Sequence, residues 1–232
     1  MISPTTDSQP TRVLIHGASG RMGQALLRLI PEFPELALAG KMSREQKEAP
    51  AAFDVVIDFS LPEALPSVVA LCQSRGAALV SGTTGLTDEQ RQLLDSLASH
   101  VPVLWASNYS LGVAVLDRLV QQSSKVLTDA GWQCDVYEQH HIHKLDTPSG
   151  TALTLGGSAE RGGATVRYTS SRAGDIVGEH TVQFAGIGER IELIHRASNR
   201  DIFARGALHC AQKLAGQAAG RRTVADVIFG PE

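Results

Sequence analysis

The sequence predicts an α/β protein: a Rossmann-like parallel sheet domain, followed by an α+β domain built on a mixed sheet. Three observations carry that expectation. Short apolar runs alternate with helical periods up to residue 106, a glycine-rich turn follows the first run, and strand alternation takes over well past Asn108. Continuously apolar strands suit a sheet covered on both faces, and parallel neighbours need helical crossovers between them.

The expected strands of the first sheet are 12–16, 36–40, 54–59, 77–81 and 101–106, all rich in Val, Ile, Leu and Ala. Leu26, Leu27 and Ile30 lie on the helix that the glycine turn opens. Leu65, Val68, Val69 and Cys72 recur at i, i+3, i+4 and i+7 on a second helix, and Leu93, Leu94 and Leu97 mark a third after Asp88 and Glu89. Beyond Asn108 a long helix is expected to carry Val113, Leu116, Leu119, Val120, Ser123 and Val126 on one face and to stop at Asp129-Ala130-Gly131. Segments 132–138 and 165–169 read as strands, and 179–185 with 190–195 as a hairpin across Gly186-Ile187-Gly188. A last helix places Phe203, Ala207, Ala211, Leu214 and Ala218 on one stripe. The expected division is residues 1–110, with 202–232 returning to them, and a second domain over 111–201.

Composition narrows the function classes. Hydrophobic residues make up 43% and charged residues 19% of the chain, which excludes disordered and low-complexity classes. The net charge of −3 comes with no basic run able to neutralise a row of phosphates, so no nucleic-acid partner is expected. No apolar stretch approaches the roughly 18–20 residues of a membrane span, so no membrane partner is expected either. The polar segment 1–11 reads as a loose tail rather than a signal peptide. Cys72, Cys134 and Cys210 form no CxxC pair, as buried free thiols of a cytoplasmic protein would.

The first chemical motif is Gly17-Ala18-Ser19-Gly20-Arg21-Met22-Gly23, between a strand and a helix. A glycine-rich turn there lets backbone approach a pyrophosphate, whose charge the helix start binds, so this is the candidate dinucleotide site. Three further strand ends, Asp58-Phe59-Ser60, Gly82-Thr83-Thr84-Gly85 and Ala106-Ser107-Asn108-Tyr109, put small or polar residues where ligands of parallel sheets sit. An NAD-binding strand would end on an acidic residue for the ribose; this one ends Ala39-Gly40-Lys41, with Arg44 close behind. That charge favours a 2′-phosphate and hence NADPH, with NADH possible.

The second motif is the stretch from Glu138 to Ala152, which holds His140, His141, His143, Lys144 and Asp146. A metal site would need ligands from elsewhere, and no second cluster of metal-binding spacing occurs, so no metal is expected. In a continuous strand His140 and Lys144 would stand about 13 Å apart, too far to share one small ligand, so the chain must curl there. Pro148 cannot donate and Ser149 is a good cap, so a helix should start at Ser149-Gly150-Thr151 with donors for an anion. Lysine, histidines and a helix start together suit an acidic small molecule undergoing proton transfer.

These residues resemble the 4-hydroxy-tetrahydrodipicolinate reductases of lysine and diaminopimelate synthesis. The glycine turn, Gly82 to Gly85, Ser107 to Val113, the His140 to Ala152 segment and Arg172-Ala173-Gly174-Asp175-Ile176-Val177-Gly178-Glu179-His180 occur in family order, from Val13 to about Ala207. The resemblance implies hydride transfer from NADPH or NADH to a cyclic dicarboxylate, with loss of water to give tetrahydrodipicolinate. It implies that Gly17, Ala18, Ser19, Gly20, Arg21 and Met22, then Gly82, Thr83 and Thr84, then Ala106, Ser107, Asn108 and Tyr109 contact the cofactor. It implies His140 as proton donor and Lys144 as the polarising cation, with His141, Ser149, Gly150 and Thr151 binding the carboxylates. It further implies a homotetramer assembled through the second-domain sheets. The stretches 41–53 and 152–172 are shorter than in other members. The alternatives are another dehydrogenase of an amino-acid pathway and a dinucleotide-sensing regulator.

Overall fold

The computed structural model describes residues 9–230, so most of the expected N-terminal tail lies outside it. The described residues form two compact units, 9–107 with 204–230 and 108–203.

The first unit holds β1 (Thr11–His16), α1 (Arg21–Leu29), β2 (Leu36–Met42), β3 (Val55–Asp58), α2 (Leu65–Arg75), β4 (Ala78–Ser81), α3 (Asp88–Ala98) and β5 (Pro102–Trp105). The second holds α4 (Leu111–Asp129), β6 (Gln133–His140), α5 (Gly150–Arg161), β7 (Val166–Arg172), β8 (Gly178–Ala185) and β9 (Arg190–Ala197). Helix α6 (Asp201–Leu214) leads back to the first unit, which ends with β10 (Gly220–Arg222) and α7 (Val224–Phe229).

Sheet one is wholly parallel, in the order β10-β5-β4-β3-β1-β2. Its central strands β3 and β4 are buried along their whole length and apolar up to their last residues, Asp58 and Ser81, as a sheet covered on both faces requires. Leu14, Val56, Leu79 and Val103 pack with Leu65, Val68, Cys72, Leu94 and Leu97 from α2 and α3. The sheet has a sixth strand that apolar patterning does not reveal. β10 is only Gly-Arg-Arg, a short charged edge strand beside β5, of the kind that discourages further pairing.

Sheet two is mixed, in the order β7-β6-β8-β9: β6 and β7 run parallel, the other pairs antiparallel. α4 and α5 lie on one face through Leu116, Val120, Ala152, Leu155 and Ala159, against Cys134, Val136, Val182 and Phe184. On α4 only Val113, Leu116, Val120 and Ser124 are buried; Leu119 and Val126 are exposed. They share a second stripe with Val115, since residues 115, 119 and 126 recur on their own helical face. α6 likewise stops at Leu214, short of Ala218, and Gly216 takes a left-handed conformation (φ 79°) that a helix cannot continue through.

The three cysteines are free and buried. No helix of the described residues is long and apolar enough to cross a membrane.

Glycine spacing in the first turn has a packing reason. A Cβ on Gly23 would lie 2.4 Å from the carbonyl oxygen of Gly17 and 2.6 Å from the Ala18 Cα, both backbone atoms. Gly23→Ala must therefore push α1 off the turn. We expect it to cost about 1–3 kcal/mol, as overpacking does, read from urea unfolding of the variant against the parent.

Candidate active site

The strand order reverses at β1, which has β2 on one side and β3 on the other. In open parallel sheets the crevice beyond the carboxyl ends at such a point receives the ligand. Gly17 leaves β1 with a positive φ of 79°, and a Cβ there would sit 2.8 Å from the Phe59 carbonyl oxygen. The residue at the start of α1, Gly20, offers no side-chain cap, whereas Thr87, Ser110, Ser149 and Thr223 cap α3, α4, α5 and α7. The first-turn N–H groups of Arg21, Met22 and Gly23 thus have no acceptor within the helix, and they supply the positive end an anion needs. The Ala18 N–H is already given to the Met42 carbonyl at 3.0 Å. Lys41 is the next-to-last residue of β2, opposite Ile15, and exposed; the strand runs two residues further than its sequence pattern implies.

Beneath the neighbouring strand ends lies Asp58, fully buried. It accepts from His16 Nδ1 at 2.9 Å, Ser60 Oγ at 2.6 Å, Thr83 Oγ1 at 2.8 Å and Ser81 Oγ at 3.2 Å. Burial alone would raise its pKa, but the donors from His16, Ser60 and Thr83 outweigh it and hold the carboxyl below the usual range. Thr83 is buried by this bond, and its carbonyl accepts from Trp105 Nε1 at 2.8 Å. Gly82 lies against the Phe59 ring, where a Cβ would approach to 2.1 Å. Thr84 and Ser107 are exposed, Ala106 and Asn108 are half-buried, and the side chain of Tyr109 is buried.

In the second unit the parallel pairing of β6 with β7 places Glu138 opposite Ser170 and His140 opposite Arg172. Glu138 is 1% exposed, accepts from His140 Nδ1, and lies 2.8 Å from Arg172 Nη2 in an ion pair. Burial pushes its pKa up, but Arg172, then Ser170 and His140, bring it below the usual range. His140 is pulled down by burial, and the Glu138 carboxylate opposes that shift. From β8, His180 meets the His140 ring edge-on at 5.1 Å between centroids. Its Nε2 lies 3.2 Å from Ser149 Oγ, the same oxygen that accepts from Ala152 N–H at the start of α5.

The chain curls after β6, as the spacing argument requires: Lys144 N–H donates to the His141 carbonyl at 3.1 Å. The Lys144 ammonium is not open but paired with Asp146 at 2.8 Å. Asp146 is held below the usual carboxylate range by Lys144 first, with the Gly150 backbone contributing. His141 Nε2 accepts from Arg200 at 3.2 Å. Asn108 Nδ2 donates to Thr151 Oγ1 at 3.0 Å, so two segments 43 residues apart in the chain meet. Glu138, His140 and His180 carry donor types of a metal site, with candidate ligand atoms all within 4.8 Å. The Arg172 guanidinium on the same carboxylate opposes a cation there.

The sequence motifs include Asp58, Glu138, Arg172 and His180 without giving any of them a role of its own, and they leave out Arg200. Arg172 and His180 stand at the two ends of the RAGDIVGEH segment, which was the available signal.

Comparison with known proteins identifies the family. The family model described as Dihydrodipicolinate reductase, N-terminus, matches residues 11–109, and its C-terminus counterpart matches residues 112–228. The chain belongs to the dihydrodipicolinate reductase family. The 4-hydroxy-tetrahydrodipicolinate reductase of Stenotrophomonas maltophilia (strain K279a) is 57% identical over 236 residues, covering 94% of this chain and 98% of that protein. The Xylella fastidiosa (strain 9a5c) reductase is 50% identical over 234 residues, with the same coverage. Among solved structures, dipicolinate-bound dihydrodipicolinate reductase from Paenisporosarcina sp. TG-14 shares the fold, with a TM-score of 0.78 at 20% identity over 95% of this chain and 100% of that one. The chain is an NAD(P)H-dependent oxidoreductase of the dihydrodipicolinate reductase family.

Burial foremost, with His140 next, pushes His180 down to about 4. The unfolded chain therefore binds a proton at His180 before the folded chain does, and stability is lost as pH falls from about 6.5 toward 4. The loss has an upper bound of about 3 kcal/mol. Thermal unfolding of His180→Gln should show a shallower decline of Tm over that window than the parent does.

Proposed function

We propose that the chain reduces 4-hydroxy-tetrahydrodipicolinate to tetrahydrodipicolinate, with loss of water, in lysine and diaminopimelate synthesis. The observation that carries this reading is one turn, between β6 and α5, that gathers His140, His141, Lys144 and the start of a capped helix. His140 is the proton donor: Glu138 accepts the hydrogen bond from its Nδ1–H, so in the imidazolium form the Nε2 proton is the one left to give. Lys144 polarises the ring as negative charge develops on it. The substrate's carboxylates are received by His141 and by Ser149, Gly150 and Thr151 at the start of α5, with Ser149 acting through the cap it makes rather than as an open donor. Arg200, beside His141, adds a further cation.

NADPH supplies a hydride when bound. Gly17 to Met22 would hold it, since Gly17-Ala18-Ser19-Gly20 carries only small side chains and leads into an uncapped helix start; Gly82 to Thr84 and Ala106 to Tyr109 are the further segments assigned to it. The protein is a cytoplasmic homotetramer in this reading. Tyr137 and Ile194 are exposed apolar residues on the sheet-two face away from its helices, which supports burial of that face in an assembly.

Asp146 sits on two of the donors assigned to substrate, Lys144 and Gly150. Lys144→Ala should cut kcat/KM by roughly 30-fold to several thousand-fold, as loss of a charge-assisted contact does, while NADPH affinity survives. Asp146→Asn should strengthen inhibition by pyridine-2,6-dicarboxylate. A Lys144→Ala enzyme that lost NADPH affinity but kept single-turnover chemistry would move that lysine to the dinucleotide site.

Lys41 favours NADPH over NADH through the 2′-phosphate. Titration at low salt should give the lower Kd for NADPH, and Lys41→Glu should reverse the order. Equal constants for the parent would sink this preference.

A further inference from the structure

The Arg172 guanidinium touches both halves of the β6–α5 turn. Its Nη2 lies 2.8 Å from Glu138 Oε1, the carboxylate bonded to His140 Nδ1. The same nitrogen donates to the Asp146 carbonyl at 2.6 Å and to Thr147 Oγ1 at 3.0 Å, and Nε donates to the Lys144 carbonyl at 3.2 Å. Nη1 donates to its neighbour's carbonyl, Ser171, at 2.7 Å. All three guanidinium nitrogens are thus engaged, and the side chain is only 19% exposed. A fork of this shape fixes directions as well as charge, which an ammonium cannot do.

We propose that Arg172 is a positioning residue for the reaction: it ties the carboxylate that orients His140 to the backbone of the turn that carries Lys144, holding proton donor and cation in one geometry. The proposal rests on the reading of His140 as the donor. Without the fork, Glu138 would lose its partner and the 144–147 backbone its anchor, while neither His140 nor Lys144 would itself be altered. The groups facing His140 are Glu138 on its own strand, Arg172 from β7, His180 from β8 and Lys144 in the turn, so Glu138 is the one anion among them.

The test compares His140→Asn, Glu138→Gln, Arg172→Lys and Arg172→Gln in the intact enzyme. Arg172→Lys keeps the charge and removes the fork. We expect both Arg172 variants to lose roughly 100-fold in kcat, the scale of an ångström-level misplacement, with NADPH Kd unchanged. Glu138→Gln should lower kcat and move the alkaline limb of the kcat–pH profile to lower pH, because the anion that favours protonated His140 is gone. In long-range ¹H–¹⁵N spectra the parent His140 should show a proton fixed on Nδ1, and Arg172→Lys should show both ring nitrogens sharing it. Wild-type kcat in Arg172→Lys, or an unchanged Nδ1–H signal in that variant, would overturn the proposal. Should Arg172→Lys unfold, Thr147→Val decides: trimming one contact of the guanidinium should lower kcat about threefold, and parent activity overturns the idea. A fully active His140→Asn would instead remove the donor reading itself. An inactive His140→Asn beside a fully active Arg172→Lys removes the positioning role alone.

Discussion

The ion pair of Glu138 with Arg172 is the contact around which the polar groups of the second unit are arranged. Both groups come from paired strands, and the carboxylate is almost fully removed from water. Burying charge is costly, and removing one partner of such a pair strands the other, so the pair tolerates no partial arrangement. Its geometry is set by register: β6 and β7 run parallel with Glu138 opposite Ser170, and β8 closes the other side with His180 opposite Glu138. Three strands therefore supply one carboxylate with its surroundings. His140 is hydrogen-bonded to that carboxylate, two residues back on the same strand.

The first unit solves a related problem with Asp58. There the carboxylate is satisfied by hydroxyls and a histidine rather than by a guanidinium, and all its side-chain donors come from the ends of β1 and β4 or the loops beyond β3 and β4. Hydroxyl donors leave room for the glycine turns. Gly17 and Gly82 both press on the Phe59 segment so closely that a Cβ at either would collide with it. A loop held this way is stiff without carrying bulk, which is what close approach to a dinucleotide needs.

The turn between β6 and α5 is internally neutralised. Lys144 has Asp146, Glu138 has Arg172, and the α5 cap is divided between Ala152 and His180. An incoming dicarboxylate on the proposed reading competes with the resident Asp146 carboxylate for Lys144. The free energy of binding is then a difference between two charge-assisted contacts, which lowers affinity and sharpens dependence on the second carboxylate.

Periodicity and turn chemistry were enough to read the parallel sheet, its crossover helices, the glycine turn and the helix start at Ser149, because each is written within a few consecutive residues. Local reading failed where the signal was absent or ambiguous: β10 has no apolar residue, and Leu119 and Val126 belong to a second stripe of α4 that its sequence does not separate from the first. The three histidines and Lys144 were visible as a cluster. Their partners were not, since Arg172 and His180 lie 34 and 42 residues from Glu138 and reach it only through strand register. Sequence by itself determined which chemistry the chain carries, because motif residues sit side by side. Tertiary structure alone decided which of those groups are paired, buried and aimed, because a strand's neighbours are chosen by the whole sheet.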